Sequence, residues 1–117
     1  FLTFLSFFMK INYTTNWLLQ KIFAISFLIL LIYVIFSFYK INLSDYSEIL
    51  MWFSNFWNSA IFFILFTCIL LHSNIGLNSI VDDYVHHKRN KKLILILKNS
   101  CLITMFIIVI MSLYTLY

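Results

Sequence analysis

The 117-residue chain has one glycine, no proline and two cysteines, and only 10% of its residues are Asp, Glu, Lys or Arg. In an average soluble domain about a quarter of the residues are charged, and glycine and proline mark the turns. Here hydrophobic residues make up 63% of the chain, in runs too long to leave a polar outer face. The composition excludes an ordinary soluble domain and predicts an all-α integral membrane protein.

The sequence lacks the residues that several common kinds of catalytic and binding site require. A single glycine cannot form a glycine-rich phosphate loop, no paired carboxylates lie within the apolar runs, and the spacing offers no Ser/His/Asp set. Cys68 and Cys101 lie in apolar segments without CxxC or metal-ligand spacing, so we interpret both as small buried apolar side chains. Function must therefore be sought elsewhere in the chain.

Three candidate spans are separated by charged residues. The first covers about residues 22–39, between Lys21 and Lys40, which is just long enough to cross a hydrocarbon core of about 30 Å. The second covers about residues 49–80 and the third about residues 93–117. The sequence therefore predicts three transmembrane helices.

Polar residues at two of these spans predict where a helix begins and where a lysine side chain lies. Asp45 and Glu48 have the spacing of a helix N-cap and its partner, which predicts that a continuous helix starts near Tyr46 and runs through the second span. In the third span, the sequence Lys98-Asn99-Ser100 interrupts the apolar run. We expect Lys98 to lie near the membrane interface and to extend its ammonium group to the headgroups.

No internal repeat or low-complexity linker divides the chain, so we treat residues 1–117 as one membrane-anchor domain. Residues 1–21 precede the first span. Within them, residues 1–8 are too short to cross a membrane and lack the features of a signal peptide. We expect residues 1–21 to form an interfacial or partner-packed segment.

The basic residues predict the orientation. With three spans, the N-terminus and the second loop lie on one side, which carries seven of the eight basic residues: Lys10, Lys21, Lys88, Arg89, Lys91, Lys92 and Lys98. Positive residues favour the matrix or cytoplasmic side, so the N-terminus is predicted there. Topology and attraction to anionic lipids such as cardiolipin, worth about 1 kcal/mol per basic residue, explain the cluster without nucleic-acid binding.

His72 is the most informative residue, because an ionisable side chain within a spanning helix by default marks a site. One interpretation is an axial ligand to haem iron through neutral imidazole, and the other is a histidine hydrogen-bonded to a neighbouring helix. His86 and His87 lie 14 and 15 residues further on, about 21 Å or more along a continuous helix. A haem would therefore need its second ligand from another subunit.

The residues after His72 form a stripe on one helix face. Gly76, Ser79 and Asp83 follow it at +4, +7 and +11, positions that a rotation of about 100° per residue keeps together. Small residues beside the histidine leave room for a flat macrocycle, although Gly76 also fits a close helix–helix contact. A histidine at depth and an acid at the interface suit a redox site with a proton supply.

The pattern H-x-x-x-G, followed by Asp-Tyr, is similar to the small cytochrome b membrane-anchor subunit of succinate dehydrogenase, respiratory complex II. Its positions here are His72, Gly76, Asp83 and Tyr84. The three spans, the length and the predicted orientation agree with that subunit. The resemblance implies an all-α, three-span subunit that pairs with a larger anchor subunit in a heterodimeric bundle.

A second motif, at the head of the first span, adds to this resemblance. NWLLQKIFAI is similar to the Trp-x-x-Gln-Arg start of that subunit, with Trp17 and Gln20 in the matching positions. Lys21 stands where the family usually has arginine, so it keeps the charge near a haem or quinone pocket but loses the bidentate fork. A lysine extending to the headgroups is the alternative.

The resemblance also implies roles for individual residues. His72 would be one axial ligand of haem b, with Gly76 and Ser79 beside the haem or quinone pocket. Tyr84 would hydrogen-bond a ubiquinone carbonyl, and Asp83 would be the acid at the quinone site. Asp82 is interpreted as a solvated neighbour, or as a contact to Lys88 or to a partner subunit.

We therefore expect an anchor subunit of succinate:ubiquinone oxidoreductase that shares haem b and ubiquinone with its partners and is not catalytic alone. The partners implied are a second anchor subunit, an iron–sulfur subunit and a flavoprotein. Two alternatives stay open: a cofactor-free accessory subunit of a respiratory complex, and the anchor of a quinol:fumarate reductase. The bias toward Phe, Ile, Asn and Lys suggests an AT-rich gene, which favours the mitochondrial inner membrane over a bacterial plasma membrane.

Overall fold

The structure, a computed structural model, describes residues 13–117. Four helices make up this part of the chain: α1 Tyr13–Tyr39, α2 Tyr46–Ser54, α3 Phe56–Tyr84 and α4 Lys88–Leu116. Three of them, α1, α3 and α4, are long and apolar enough to cross a membrane. The prediction of an all-α protein with three transmembrane helices is confirmed.

Helix α1 is longer than the predicted first span. It begins at Tyr13, so residues 13–21 are a direct extension of the spanning helix. Lysine is a good helix former, and the Lys21 ammonium group lies 5.9 Å from the centre of the Trp17 ring on the preceding turn. The charge therefore marks the edge of the apolar run without ending the helix. The rest of the expected N-terminal segment, including residues 1–8 and Lys10, lies outside the described residues.

The start of α2 confirms half of the predicted capping arrangement. Asp45 is the N-cap, and its carboxylate accepts hydrogen bonds from the Ser47 backbone N–H at 3.0 Å and from the Ser47 hydroxyl at 2.7 Å. Glu48 instead accepts from the backbone N–H of Asn42 at 2.6 Å. It therefore ties the preceding loop to α2 and does not close back on Asp45.

The prediction that one helix continues from Tyr46 through the second span was wrong. Helix α2 ends at Ser54, and Asn55 has an extended backbone, with φ −73° and ψ 120°. The side chain of Asn55 accepts from the Trp57 N–H at 3.0 Å and caps a new helix, α3. Asparagine competes with the helical hydrogen bonds in this way, so the second spanning helix runs from Phe56 to Tyr84.

The corner between α2 and α3 is fixed by the next asparagine. The Asn58 amide donates to the carbonyl of Trp52 in α2 at 3.1 Å, and its oxygen accepts from the Tyr33 hydroxyl of α1 at 2.8 Å. Trp52 and Phe53 are buried here with Val34 and Leu65. Helix α2 thus closes one end of the bundle over an aromatic core.

Helix α3 lies between the other two spanning helices, with α1 packed on one side and α4 on the other. Only residues 85–87 connect α3 to α4, so these helices are antiparallel neighbours. Helix α4 runs from Lys88 to Leu116 without a break, so the polar residues 98–100 interrupt the apolar run but not the helix. Large apolar side chains such as Ile29, Phe36 and Leu97 are exposed on the outside, where lipid or partner subunits must cover them.

Candidate functional site

His72 lies on the face of α3 that packs against α1. Its Nδ1 is 3.0 Å from the backbone carbonyl oxygen of Gln20, and the edge of the Phe27 ring packs against the imidazole with ring centres 5.4 Å apart. A carbonyl only accepts hydrogen bonds, so Nδ1 is the donor in this pair. In a neutral imidazole the lone pair then belongs to Nε2.

This hydrogen bond bears on both interpretations of His72. A histidine that binds a metal almost always donates its other ring N–H to a carbonyl or carboxylate, which fixes the tautomer and the ring orientation. The contact between His72 and Gln20 is such an arrangement on the protein side. Hydrogen bonding to a neighbouring helix and ligation through Nε2 are therefore compatible.

Gly76 is the second contact between α3 and α1. A Cβ atom placed on Gly76 would lie 3.1 Å from the side-chain nitrogen of Gln20, closer than ordinary van der Waals contact. Gly76 therefore gives the Gln20 side chain room to pass, one turn from His72. The two motifs of the sequence, H-x-x-x-G and Trp-x-x-Gln, meet at Gln20.

The other residues of the stripe differ in exposure. The Ser79 hydroxyl donates to the carbonyl of Ile75 on its own helix at 3.2 Å, a common arrangement for a serine within a helix. Asp83, one turn further on, is exposed. The structure thus places His72 and Gly76 against α1, whereas Asp83 is exposed near the end of α3.

Tyr84 is the last residue of α3, and 80% of it is exposed. It lines a hollow of about 480 Å³ where α3 turns back into α4, together with Val85, His86, His87, Asn90, Leu93 and Ile94. Asp83 is not among the residues that line this hollow. The sequence did not lead us to expect His86 and His87 beside Tyr84. The short connection of residues 85–87, which reverses the chain, could have indicated that these side chains lie together.

The neighbouring acid, Asp82, forms an ion pair. Its carboxylate lies 2.6 Å from the Lys91 ammonium group, so its partner is Lys91 and not Lys88. This pair links the last turn of α3 to the first turns of α4. Solvent reaches both side chains, and such a pair adds at most about 1 kcal/mol.

The position predicted for Lys98 was wrong. Only 8% of this residue is exposed, and its ammonium group donates to the side-chain oxygen of Asn74 at 2.7 Å and to that of Asn78. Asn74 is fully buried, and its side-chain nitrogen has no hydrogen-bond partner within residues 13–117. Lys98 points into the contact between α3 and α4 because two amide oxygens there accept hydrogen bonds from its ammonium group.

Within residues 13–117, no group of three or more His, Cys, Asp or Glu side chains is arranged to hold a metal ion. The second axial ligand that the sequence analysis expects from another subunit stays a prediction. Lys21 is exposed and lies over Trp17.

Two curated proteins resemble the chain over most of its length. It is 30% identical over 102 residues to the succinate dehydrogenase hydrophobic membrane anchor subunit of Rickettsia prowazekii (strain Madrid E), covering 86% of this chain and 81% of the relative. It is 29% identical, with the same coverage, to the same subunit of Rickettsia typhi (strain ATCC VR-144 / Wilmington). The chain belongs to the succinate dehydrogenase hydrophobic membrane anchor family.

The family resemblance inferred from His72, Gly76, Asp83 and Tyr84 is thereby confirmed. Membership in this anchor family also agrees with a location in a membrane and implies partner subunits within a succinate dehydrogenase complex. Both relatives are bacterial, so a bacterial plasma membrane fits as well as the mitochondrial inner membrane. No protein-family model and no solved structure matches the chain.

Proposed function

We propose that this anchor subunit works in succinate:ubiquinone oxidoreductase, where His72 ligates haem b through Nε2 and Tyr84 and Asp83 belong to the ubiquinone-reduction site. The hydrogen bond from His72 Nδ1 to the Gln20 carbonyl is the observation that carries the haem assignment. It leaves Nε2 with its lone pair and fixes the plane of the ring against α1. The second axial ligand would come from a second anchor subunit.

The residues around His72 fit a haem ligand in their chemistry as well. The backbone carbonyl of Gln20 raises the basicity of the imidazole through the hydrogen bond, which strengthens a metal ligand. Phe27 packs against the ring and keeps water from one side of it. A bound haem b would supply one-electron redox chemistry, and His72 would hold the iron through one nitrogen.

The position of Tyr84 supports a role in ubiquinone reduction. The residue ends α3 at the basic end of the bundle, and its phenol is free to donate a hydrogen bond because 80% of the residue is exposed. A donor aimed at a quinone carbonyl stabilises the negative charge that develops on the oxygen during reduction. Asp83 lies next to it in the sequence and is exposed, so its carboxylate lies at the water boundary beside the quinone site.

The basic end of the bundle is also where the hydrophilic subunits would dock. Electrons from succinate must reach the quinone through an iron–sulfur subunit that binds a flavoprotein, and the quinone site is at the Tyr84 end. The basic segment from Lys88 to Lys92, which is exposed except for the half-buried Lys91, faces that side and can also bind anionic lipids such as cardiolipin. We assign the complex to an energy-transducing membrane, the mitochondrial inner membrane or a bacterial plasma membrane.

A reduced-minus-oxidised spectrum of the purified complex tests the haem assignment. The His72→Ala variant should lose or strongly alter the haem b band, whereas the His87→Ala variant, which also removes one imidazole, should keep it. An unchanged band in His72→Ala would remove the ligand assignment. It would then favour the cofactor-free accessory subunit, in which His72 only joins two helices.

The quinone assignment needs a separate measurement. Tyr84→Phe should lower ubiquinone reductase activity by about 10-fold or more, since a lost transition-state donor costs about 10²–10³ in well-studied cases. Succinate oxidation by an artificial dye should stay near the wild-type rate, because electrons then leave before the quinone site. An equal loss of both activities would point to an assembly defect and would count against the assignment.

A further inference from the structure

We infer that His86 and His87 are the groups that exchange protons with the ubiquinone site beside Tyr84. This inference rests on the proposed function, because it assumes that Tyr84 contacts the quinone. It adds two residues that the family pattern H-x-x-x-G, Asp-Tyr does not include. The histidines follow Tyr84 in the short connection between α3 and α4.

The first observation is that one hollow brings the tyrosine and both histidines together. Residues 85–87 reverse the chain, so that Asn90, Leu93 and Ile94 of α4 come to lie opposite Tyr84. The resulting space of about 480 Å³ is lined by both polar and apolar side chains, and its apolar members include Leu93 and Ile94 of α4. A flat quinone head group with two carbonyl oxygens and an apolar tail matches this lining.

The second observation is that neither imidazole is used to hold the structure together. His87 is the N-cap residue of α4, yet only its backbone carbonyl takes part in the helix, accepting from the Lys91 N–H at 2.9 Å, and its side chain makes no capping hydrogen bond. His86 makes no hydrogen bond to another residue within residues 13–117. Both side chains are exposed, so both can exchange protons with water.

The acids next to Tyr84 are less suited to this task. Asp82 is held in the ion pair with Lys91, and Asp83 does not line the hollow. Histidine is also the side chain that most often serves as a general acid or base. The other charged side chains of this turn are Lys88 and Arg89, which do not line the hollow.

The proton balance of the reaction shows what the histidines would do. Ubiquinone gains two electrons, which succinate loses and an iron–sulfur subunit delivers, and each carbonyl oxygen gains one proton to give ubiquinol. The phenol of Tyr84 donates a hydrogen bond to one oxygen. The phenol O–H bond breaks as its proton passes to that oxygen, and an N–H bond of a protonated His86 or His87 breaks to restore the phenol. The imidazole regains a proton from bulk solvent, and the second carbonyl oxygen takes its proton from solvent.

The double variant His86→Gln/His87→Gln in the assembled complex tests this inference. Glutamine keeps a similar size and hydrogen-bonding capacity but cannot exchange protons at neutral pH. We expect ubiquinone reductase turnover at pH 7.5 to fall by about 10-fold or more, within the range for general acid–base catalysis, while KM for the quinone changes less than twofold. Dye-linked succinate oxidation should stay unchanged.

Chemical rescue separates proton exchange from a structural role. Added imidazole should restore a large part of the turnover in the double variant and should have no effect on the wild-type complex. Lys40→Gln is the control, because Lys40 is exposed, lies outside the basic segment and does not line the hollow, and it should retain wild-type turnover.

Normal turnover in the double variant would overturn the inference, and so would a loss that imidazole does not restore. The Tyr84→Phe variant distinguishes a failure of this inference from a failure of the proposed function. If Tyr84→Phe loses quinone reduction and the double variant keeps it, only the inference is wrong. If Tyr84→Phe reduces ubiquinone at the wild-type rate, both are wrong.

Discussion

The Lys98 ammonium group donates a 2.7 Å hydrogen bond to the side-chain oxygen of Asn74, across the contact between α4 and α3. A second bond to the oxygen of Asn78 completes the pairing. The acceptors are neutral amides, so the positive charge of Lys98 is solvated by dipoles and not balanced by a carboxylate. A cation in an apolar surrounding depends strongly on each such partner.

The first prediction is that removing Asn74 destabilises the protein more than removing Lys98. In Asn74→Ala the charge keeps only Asn78, and we expect a loss of about 3–5 kcal/mol, the range for a buried charge that loses its partner. In Lys98→Met the charge disappears and two amides stay unpaired, which costs about 1–3 kcal/mol. Unfolding of the purified complex, followed by circular dichroism, measures both losses.

Two further variants make the comparison with Asn74 decisive. Ser100→Ala changes an exposed residue on the same helix and should unfold like the wild type. Combining Asn74→Leu with Lys98→Met removes the charge together with its main acceptor, and should be less destabilising than Asn74→Ala alone. Equal losses of stability in Asn74→Ala and Lys98→Met would show that the buried charge of Lys98 does not determine the effect of these substitutions on unfolding.

The second prediction concerns the contact of Gly76 with Gln20. A Cβ on Gly76 meets the far end of a flexible side chain, and alanine favours the helix over glycine by about 1 kcal/mol. Gly76→Ala should therefore change the free energy of unfolding by less than about 1 kcal/mol. Gly76→Leu cannot be accommodated by the side chain alone, so it should push α1 away and destabilise by about 1–3 kcal/mol.

A double-mutant cycle tests this contact directly. If Gly76→Leu acts through Gln20, then adding Gln20→Ala should recover part of the loss, with a coupling of about 0.5–3 kcal/mol. The haem b band should shift in Gly76→Leu as well, because displacement of α1 also moves the carbonyl that holds His72. Strictly additive losses and an unshifted band would show that Gly76 is important for another reason.

Much of the architecture could be predicted from the sequence because long apolar runs bounded by charges have few structural solutions in a membrane. The three spans and the Asp45 cap are of this kind, since each depends on local composition. The break at Asn55 was missed because neither glycine nor proline marks it. An asparagine within a helix and an asparagine that caps a new one look alike until the fold places α2 across the bundle.

The site was predictable only in part, for a related reason. His72 stands out as an ionisable residue in an apolar run, but Gln20, its partner, is 52 positions away, and nothing in the spacing connects the two. The predicted position of Lys98 was wrong for the same reason. A lysine near the end of a span normally extends to the headgroups, unless a neighbouring helix offers acceptors, and only the packing of α3 against α4 shows that Asn74 does so.

The third prediction concerns pH and the start of α2. The hydroxyl of Ser47 and then its backbone N–H hydrogen-bond the carboxylate of Asp45 and lower its pKa from the ordinary value of 3.8. A carboxyl group whose pKa is lower in the folded state stabilises that state at pH values above the unfolded pKa. This contribution is lost as the pH falls through the lowered folded pKa. The N-cap should therefore be intact at neutral pH and should weaken below about pH 4.

Variants of Asp45 separate the charge from the cap. Asp45→Asn keeps a good N-cap that does not titrate, so the first turn of α2 should stay protected from neutral pH to pH 3. Asp45→Ala should lose protection at both pH values, and the wild type should resemble it only at the acidic end. Hydrogen exchange of the Ser47 amide in the purified complex, corrected for the intrinsic pH dependence of exchange, is the measurement. Equal protection of the wild type and Asp45→Ala at neutral pH would show that Glu48, through its bond to Asn42, holds this turn without the cap.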